Sequence, residues 1–174
     1  MLLARGHVDL DNDAINARGY KFITEHELKD IDNIYGKLNG KLSSVVMQIY
    51  LRKNNLIHLM PHNWEEFEPL ITAIQNQSNG ETVKASWFNI LLRNTSLEEH
   101  NHVASKTMQG AKHAAFVYYS QLPEGATPIE LLIDHEWVPI PAQAGDWICF
   151  DLECLHRVPL NLSNDHRISF AFNV

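Results

Sequence analysis

Apolar and polar positions along this chain follow two different periods, and the change falls near residue 80. Before it, helical spacing dominates. In "TEHELKDIDNIYGKLNG", Leu28, Ile31, Ile34, Tyr35 and Leu38 recur every three or four residues. Thr24 with Glu27 three residues on forms a capping box, and Gly40 supplies a stop, so the spacing predicts a helix over Thr24–Gly40. A second helix is predicted from Asn63 in "NWEEFEPLITAIQNQSNG". Its acidic first turn suits the helix dipole, and Trp64, Phe67, Leu70, Ile71 and Ile74 make its apolar side. Between the two, "SSVVMQIYLRK" (Ser43–Lys53) has the composition of a strand.

After Gly80 the pattern becomes strand-like. "TVKASWFNILLRN", "KHAAFVYYSQL", "PIELLI", "WVPIP", "GDWICFD", "HRVPL" and "HRISFAFNV" follow one another, separated by turn-formers such as "LPEGATP", "PAQAGD" and "NLSND". Short strands without helical crossovers predict an antiparallel sandwich or barrel, and a jelly roll (double-stranded β-helix) with helices packed on one outer side is the economical form. One domain over residues 1–174 is expected. Residues 1–80 are its helix-bearing part, with two helices and a strand, and residues 81–174 its jelly-roll core.

Composition narrows the class. With 45% hydrophobic and 20% charged residues the chain is that of a folded domain. No apolar run is long enough to span a bilayer, and the start "MLLARGHVDLDND" lacks the apolar core of a secretory signal, so a cytoplasmic location is expected, that of the host if a phage encodes it. Cys149 and Cys154 lie five positions apart, which on one strand sends them to opposite faces and predicts two unpaired, buried thiols. The net charge of −7, with scattered Lys and Arg, argues against a general nucleic-acid binder.

Candidate chemistry starts with "EEHNHVASK". On a β-strand, residues i and i+2 share a face, so His100 and His102 are expected to point the same way. Alone, the pair fits a solvated strand as well as a ligand set. His156, 54 residues beyond His102 in "AGDWICFDLECLHRVPLN", completes a plausible metal set, since imidazole suits iron, zinc, copper and nickel and three ligands leave positions open. In "HRISFAFNV", Arg167 and Ser169 share one face of the last strand while Ile168, Phe170 and Phe172 take the other. A guanidinium facing inward is costly unless it meets an anion, and with a hydroxyl two residues on it forms a clamp for a carboxylate.

Together with "SWFNILLRN", "AAFVYYSQLPEG" and their order along the chain, these stretches resemble the iron(II)- and 2-oxoglutarate-dependent dioxygenases. The resemblance runs from about Ser86 to Val174, half the chain, and is to a small prolyl-hydroxylase-like branch of bacteria and their phages. Its most specific part is His156 with Arg167 eleven positions later and Ser169 after it. The resemblance implies an enzyme holding Fe(II), with 2-oxoglutarate as cosubstrate and dioxygen as co-reactant. It implies His100 and His156 as iron ligands and Arg167 with Ser169 as the anchor for the far carboxylate of 2-oxoglutarate. Tyr118 or Tyr119, or Asn89, would touch the cosubstrate from a neighbouring strand, with Tyr119 and Asn89 preferred. A prolyl residue of a peptide or protein is the first substrate implied, then a small molecule.

One position departs from the pattern. The superfamily completes its triad with a carboxylate two residues after the first histidine, where this chain has His102. Either three imidazoles hold the metal, or His102 stands behind while Glu98, on the same strand face, supplies the carboxylate. A cupin is the main rival: Gly145 precedes His156 by the eleven residues of its second motif, but "VASKTMQG" lacks the glutamate it expects after His-x-His, and Arg167 with Ser169 has no role in it. A β-sandwich binding module without chemistry is the non-enzyme alternative.

Overall fold

The computed structural model describes residues 1–25, 41–43 and 51–174. Their strands form two antiparallel sheets. The larger has six strands in the order β1 (Leu2–His7), β8 (Asp146–Asp151), β5 (Ala114–Gln121), β10 (Arg167–Asn173), β3 (Ala85–Leu91) and β2 (Lys41–Ser43). The smaller has four: β4 (Leu97–His100), β9 (His156–Val158), β6 (Glu130–Ile133) and β7 (Glu136–Pro139). This is a jelly roll, as the strand spacing predicts.

Alternation along the central strands sorts the core into two layers. Phe88, Phe116, Tyr118, Phe170 and Phe172 face outward from the large sheet and meet Ile15, Phe22, Trp64, Phe67, Leu70 and Ile74 of the helical side. Phe67 is the hub, with ring centroids 4.8 Å from Phe170 and 5.3 Å from Phe172, both edge-on. The opposite faces of the same strands carry Val117, Tyr119, Ile148 and Phe150 toward Ile129, just before β6, and toward Leu131 and Val158 of the small sheet. Strands β3, β5 and β10 are therefore covered on both faces, which is why they are so apolar.

The N-terminal part differs from its sequence reading in several ways. Helix α1 spans Asn12–Glu25, earlier than expected; Asp11 caps it by accepting from the Ala14 backbone N–H at 3.0 Å. Most of the helix expected over Thr24–Gly40, and residues 44–50 of the expected strand, lie outside the described residues. Where that strand should end, residues 51–53 are helical. The helix expected from Asn63 begins instead at Glu68 (α2, Glu68–Gln77), after three short 3-10 turns. Pro69 explains the shift: inside a longer helix its ring would meet the carbonyl of Glu65, whereas in the first turn it costs nothing. Residues 1–80 also supply β1 and β2, the outermost strands of the large sheet among the described residues. Helix α3 (Val103–Met108) directly follows the histidine pair.

Two smaller features complete this part of the fold. Asp134 and His135, with φ of 49° and 69°, make the two-residue hairpin turn between β6 and β7. Cys149 and Cys154 are buried and free. Among the described residues no helix is long and apolar enough to cross a membrane.

His62 joins the 3-10 turns to the sheet through the Ser86 hydroxyl, 2.6 Å from its Nδ1. Burial, helped by the charge of Arg52, lowers its pKa from 6.5 to about 4. As pH falls below 6.5 the unfolded chain takes up a proton that the folded one refuses, so stability drops progressively down to about pH 4. The loss at that point approaches about 3 kcal/mol from this residue. Urea unfolding of wild type and His62→Gln between pH 7.5 and 4.5 should give a shallower acid slope for the variant; equal slopes would dismiss the effect.

Candidate active site

His100 ends β4 and lies directly opposite His156 of β9 across the antiparallel pair. That register sets their ring centroids 4.2 Å apart. His102 arrives differently from the strand expectation. The strand stops at His100, and His102 sits at the N-cap of α3 with φ −109° and ψ 22°. A turn, not β alternation, carries its ring to 5.6 Å from His100 and 4.8 Å from His156. One ligand atom from each of the three lies within 4.8 Å of the other two.

Each ring is held at Nδ1. His100 donates to the Glu98 backbone carbonyl at 2.7 Å and His156 to the Cys154 carbonyl at 2.9 Å. Carbonyl oxygens only accept, so these two rings carry their proton on Nδ1 and keep a lone pair on Nε2. His102 Nδ1 meets the side-chain oxygen of Asn173 at 3.0 Å, which selects the same tautomer. Burial, with the charge of His100 second, lowers the pKa of His102 to about 4 and that of His156 to about 2, so both are neutral at physiological pH. Three imidazoles with ligand nitrogens this close together fit a divalent transition metal. Glu98 is exposed; what it lends the cluster is its main-chain carbonyl, not its carboxylate.

Arg167 lines the same cavity. It is 1% exposed, with Nε donating to the Thr127 carbonyl at 3.0 Å and Nη1 to Ser169 Oγ at 3.0 Å. Its guanidinium carbon sits 5.2 Å from the centroid of Tyr119, whose hydroxyl accepts from the Ile129 backbone N–H at 3.2 Å. Burial opposes the charged form of Arg167, and no carboxylate pairs with it among the described residues. Asn89 is buried beside Ser169 on β3 and lines the cavity as well. Tyr118 faces the other way, its hydroxyl donating to Asn12 of α1 at 2.5 Å. Leu97, Val117, Ile129 and Val158 form apolar walls between the histidines and the arginine.

His100, His102, His156, Asn89, Arg167 and Ser169 thus meet in one cavity, with three imidazoles, two of them kept neutral by burial, and a buried cation among its polar groups. Sequence reasoning missed Asn173 and Trp87. Trp87 packs edge-on against His102 at 5.0 Å between centroids. Asn173 shares the inward face of β10 with Arg167 and Ser169, a signal that alternation alone carried.

No family model and no curated protein matches the sequence. Solved structures match the fold. A Pseudomonas putida prolyl-4-hydroxylase aligns over 98% of this chain and 91% of its own with a TM-score of 0.62 at 13% identity. The α-ketoglutarate-dependent epimerase SnoN of nogalamycin biosynthesis aligns over 97% and 76%, with a TM-score of 0.60 at 13% identity. A 2OG-Fe(II) oxygenase family oxidoreductase from Burkholderia pseudomallei gives a TM-score of 0.50 at 9% identity, over 69% of this chain and 55% of that one, so the chain spans about half its length. The fold is the double-stranded β-helix of these structures.

Proposed function

We propose that this chain is an iron(II)- and 2-oxoglutarate-dependent oxygenase. The observation that carries the reading is a buried guanidinium without a carboxylate partner among the described residues, sharing one cavity with three clustered imidazoles. Either feature alone has a structural explanation; together they match a metal chelator that is also a carboxylate. The fold of the 2-oxoglutarate-dependent structures supports the same reading.

In this reading His100, His102 and His156 hold the metal through Nε2. Arg167 and Ser169 hold the far carboxylate of 2-oxoglutarate, with Tyr119 and Asn89 against its chain. When bound, iron and 2-oxoglutarate supply dioxygen activation coupled to oxidative decarboxylation, yielding succinate and carbon dioxide. The chain's part is placement. Arg167 offers a rigid pair of N–H donors that suits a carboxylate, and Ser169 adds a hydroxyl. Leu97, Val117, Ile129 and Val158 keep water from the path between the two ends. Three neutral ligands leave the metal its full double charge, one unit more than a set containing a carboxylate, which strengthens its hold on a dianion.

We assign hydroxylation of a prolyl residue in a peptide or protein as the reaction, on the likeness to a structure described as a prolyl-4-hydroxylase. The site of action is the cytoplasm, where two buried thiols stay reduced. Protein supplied with Fe(II), 2-oxoglutarate and air should release succinate above a metal-free control, and proline-containing peptides should raise the rate. A cupin would bind metal without developing a 2-oxoglutarate-dependent absorption band under anaerobic conditions. A binding module would take up no metal.

A further inference from the structure

Two of the three imidazoles are oriented by main chain: His100 and His156 each donate to the carbonyl two residues earlier. His102 has no such device, because it lies beyond the strand at the start of α3. Its Nδ1 is held by a side chain, that of Asn173 near the far end of β10 from Arg167. Asn173 is 0% exposed, and its amide is itself pinned, since Nδ2 donates to Ser105 Oγ at 2.6 Å. That bond turns the amide oxygen toward His102. Ser105 in turn lies in α3, with its backbone N–H bonded to the His102 carbonyl at 2.9 Å. The His102 ring is closed in on another side by Trp87.

We propose that Asn173 is the positioning residue that makes His102 a metal ligand. Its amide oxygen takes the Nδ1 proton, fixes the tautomer with Nε2 free, and holds the ring toward His100 and His156. This rests on the reading of the three histidines as a metal set. An amide performs the task without adding charge to the cluster; an aspartate in its place would orient the ring equally while making the imidazole a stronger donor. Without a partner at Nδ1, the ring loses its reason to choose this tautomer, and the buried N–H is left unsatisfied.

Cobalt(II) titration of the metal-free protein, followed by its ligand-field absorption, tests the assignment. Asn173→Ala should bind cobalt about 10–100-fold more weakly, with an altered visible spectrum. Asn173→Asp should restore affinity to within about threefold of wild type or exceed it, and Ser105→Ala, which unpins the amide, should fall between wild type and Asn173→Ala. Wild-type affinity in a folded Asn173→Ala overturns the proposal. Should that variant not fold, Asn173→Asp decides, because its side chain has the same shape: affinity lowered more than about tenfold overturns it. His156→Ala separates the levels. If it too binds cobalt normally, the three-histidine reading has failed; if it loses cobalt while Asn173→Ala keeps it, only the positioning role has.

Discussion

Replacing Arg167 by methionine should weaken 2-oxoglutarate binding by at least about a hundredfold, leave metal affinity within about threefold, and not destabilise the metal-free protein. The three expectations follow from one fact: the guanidinium is 1% exposed and faces no carboxylate among the described residues. Desolvating such a cation costs several kcal/mol, and the hydrogen bonds to Thr127 and Ser169 offset that only in part. Methionine fills a similar volume without the charge, so the empty protein should melt at the same temperature or higher. A purely structural arginine behaves oppositely, and a melting temperature lowered by more than about 4 °C, with cosubstrate affinity unchanged, would reject the anchor assignment. Isothermal titration of the metal-loaded protein with 2-oxoglutarate under nitrogen gives the affinity. Arg167→Lys should fall between, since it keeps the charge but loses the forked geometry.

Much of this site was legible in the sequence because strand alternation is a strong signal where a sheet is covered on both sides. The final strand alone separates Arg167 and Ser169 from Phe170 and Phe172, and the structure sends these pairs into the cavity and the helical layer respectively. The His156–Arg167 spacing survived because β9 and β10 are joined by a loop of fixed length, whatever that loop does. The expectation for His102 failed in its reason. Nothing in "EEHNHVASK" marks the end of a strand, and the turn depends on partners distant in sequence: the His102 backbone N–H bonds the Leu152 carbonyl at 2.8 Å.

The N-terminal elements were harder, for physical causes that can be named. Strand β1 alternates, but with Ala4 and Gly6 at its half-buried positions it shows little hydrophobic contrast. Gly6 is there because Trp147 lies against it, and a Cβ would sit 2.5 Å from that ring. Helix α1 hides its inner face behind polar residues: Asn16 accepts from the buried Ser120 hydroxyl at 2.5 Å, a contact no periodicity reports. Its one local signal was Asp11 placed three residues before Ala14.

Loss of His156 should remove metal binding, and stability reports it directly. His156 is 3% exposed, and its ring stands within 4.8 Å of both other imidazoles between centroids, so it is the member that joins the set. Four-ligand protein sites bind with roughly 10–16 kcal/mol, or about 2.5–4 per ligand, so His156→Ala should weaken the metal on the order of a hundred- to a thousandfold. Wild type in metal at about a hundred times its Kd gains about 2.7 kcal/mol, which raises Tm by roughly 5–11 °C for a chain of this size. The variant at the same concentration stands between about a tenth of its own Kd and its Kd, and should shift by less than about 2 °C. The metal-free variant should still fold, because alanine removes a group whose charged form the interior already refuses, holding its pKa near 2. Differential scanning calorimetry with and without cobalt(II) or anaerobic iron(II) measures all of this. A rise in the variant equal to that of wild type would place the metal elsewhere, and Arg167 would then be an anchor without a chelate to serve.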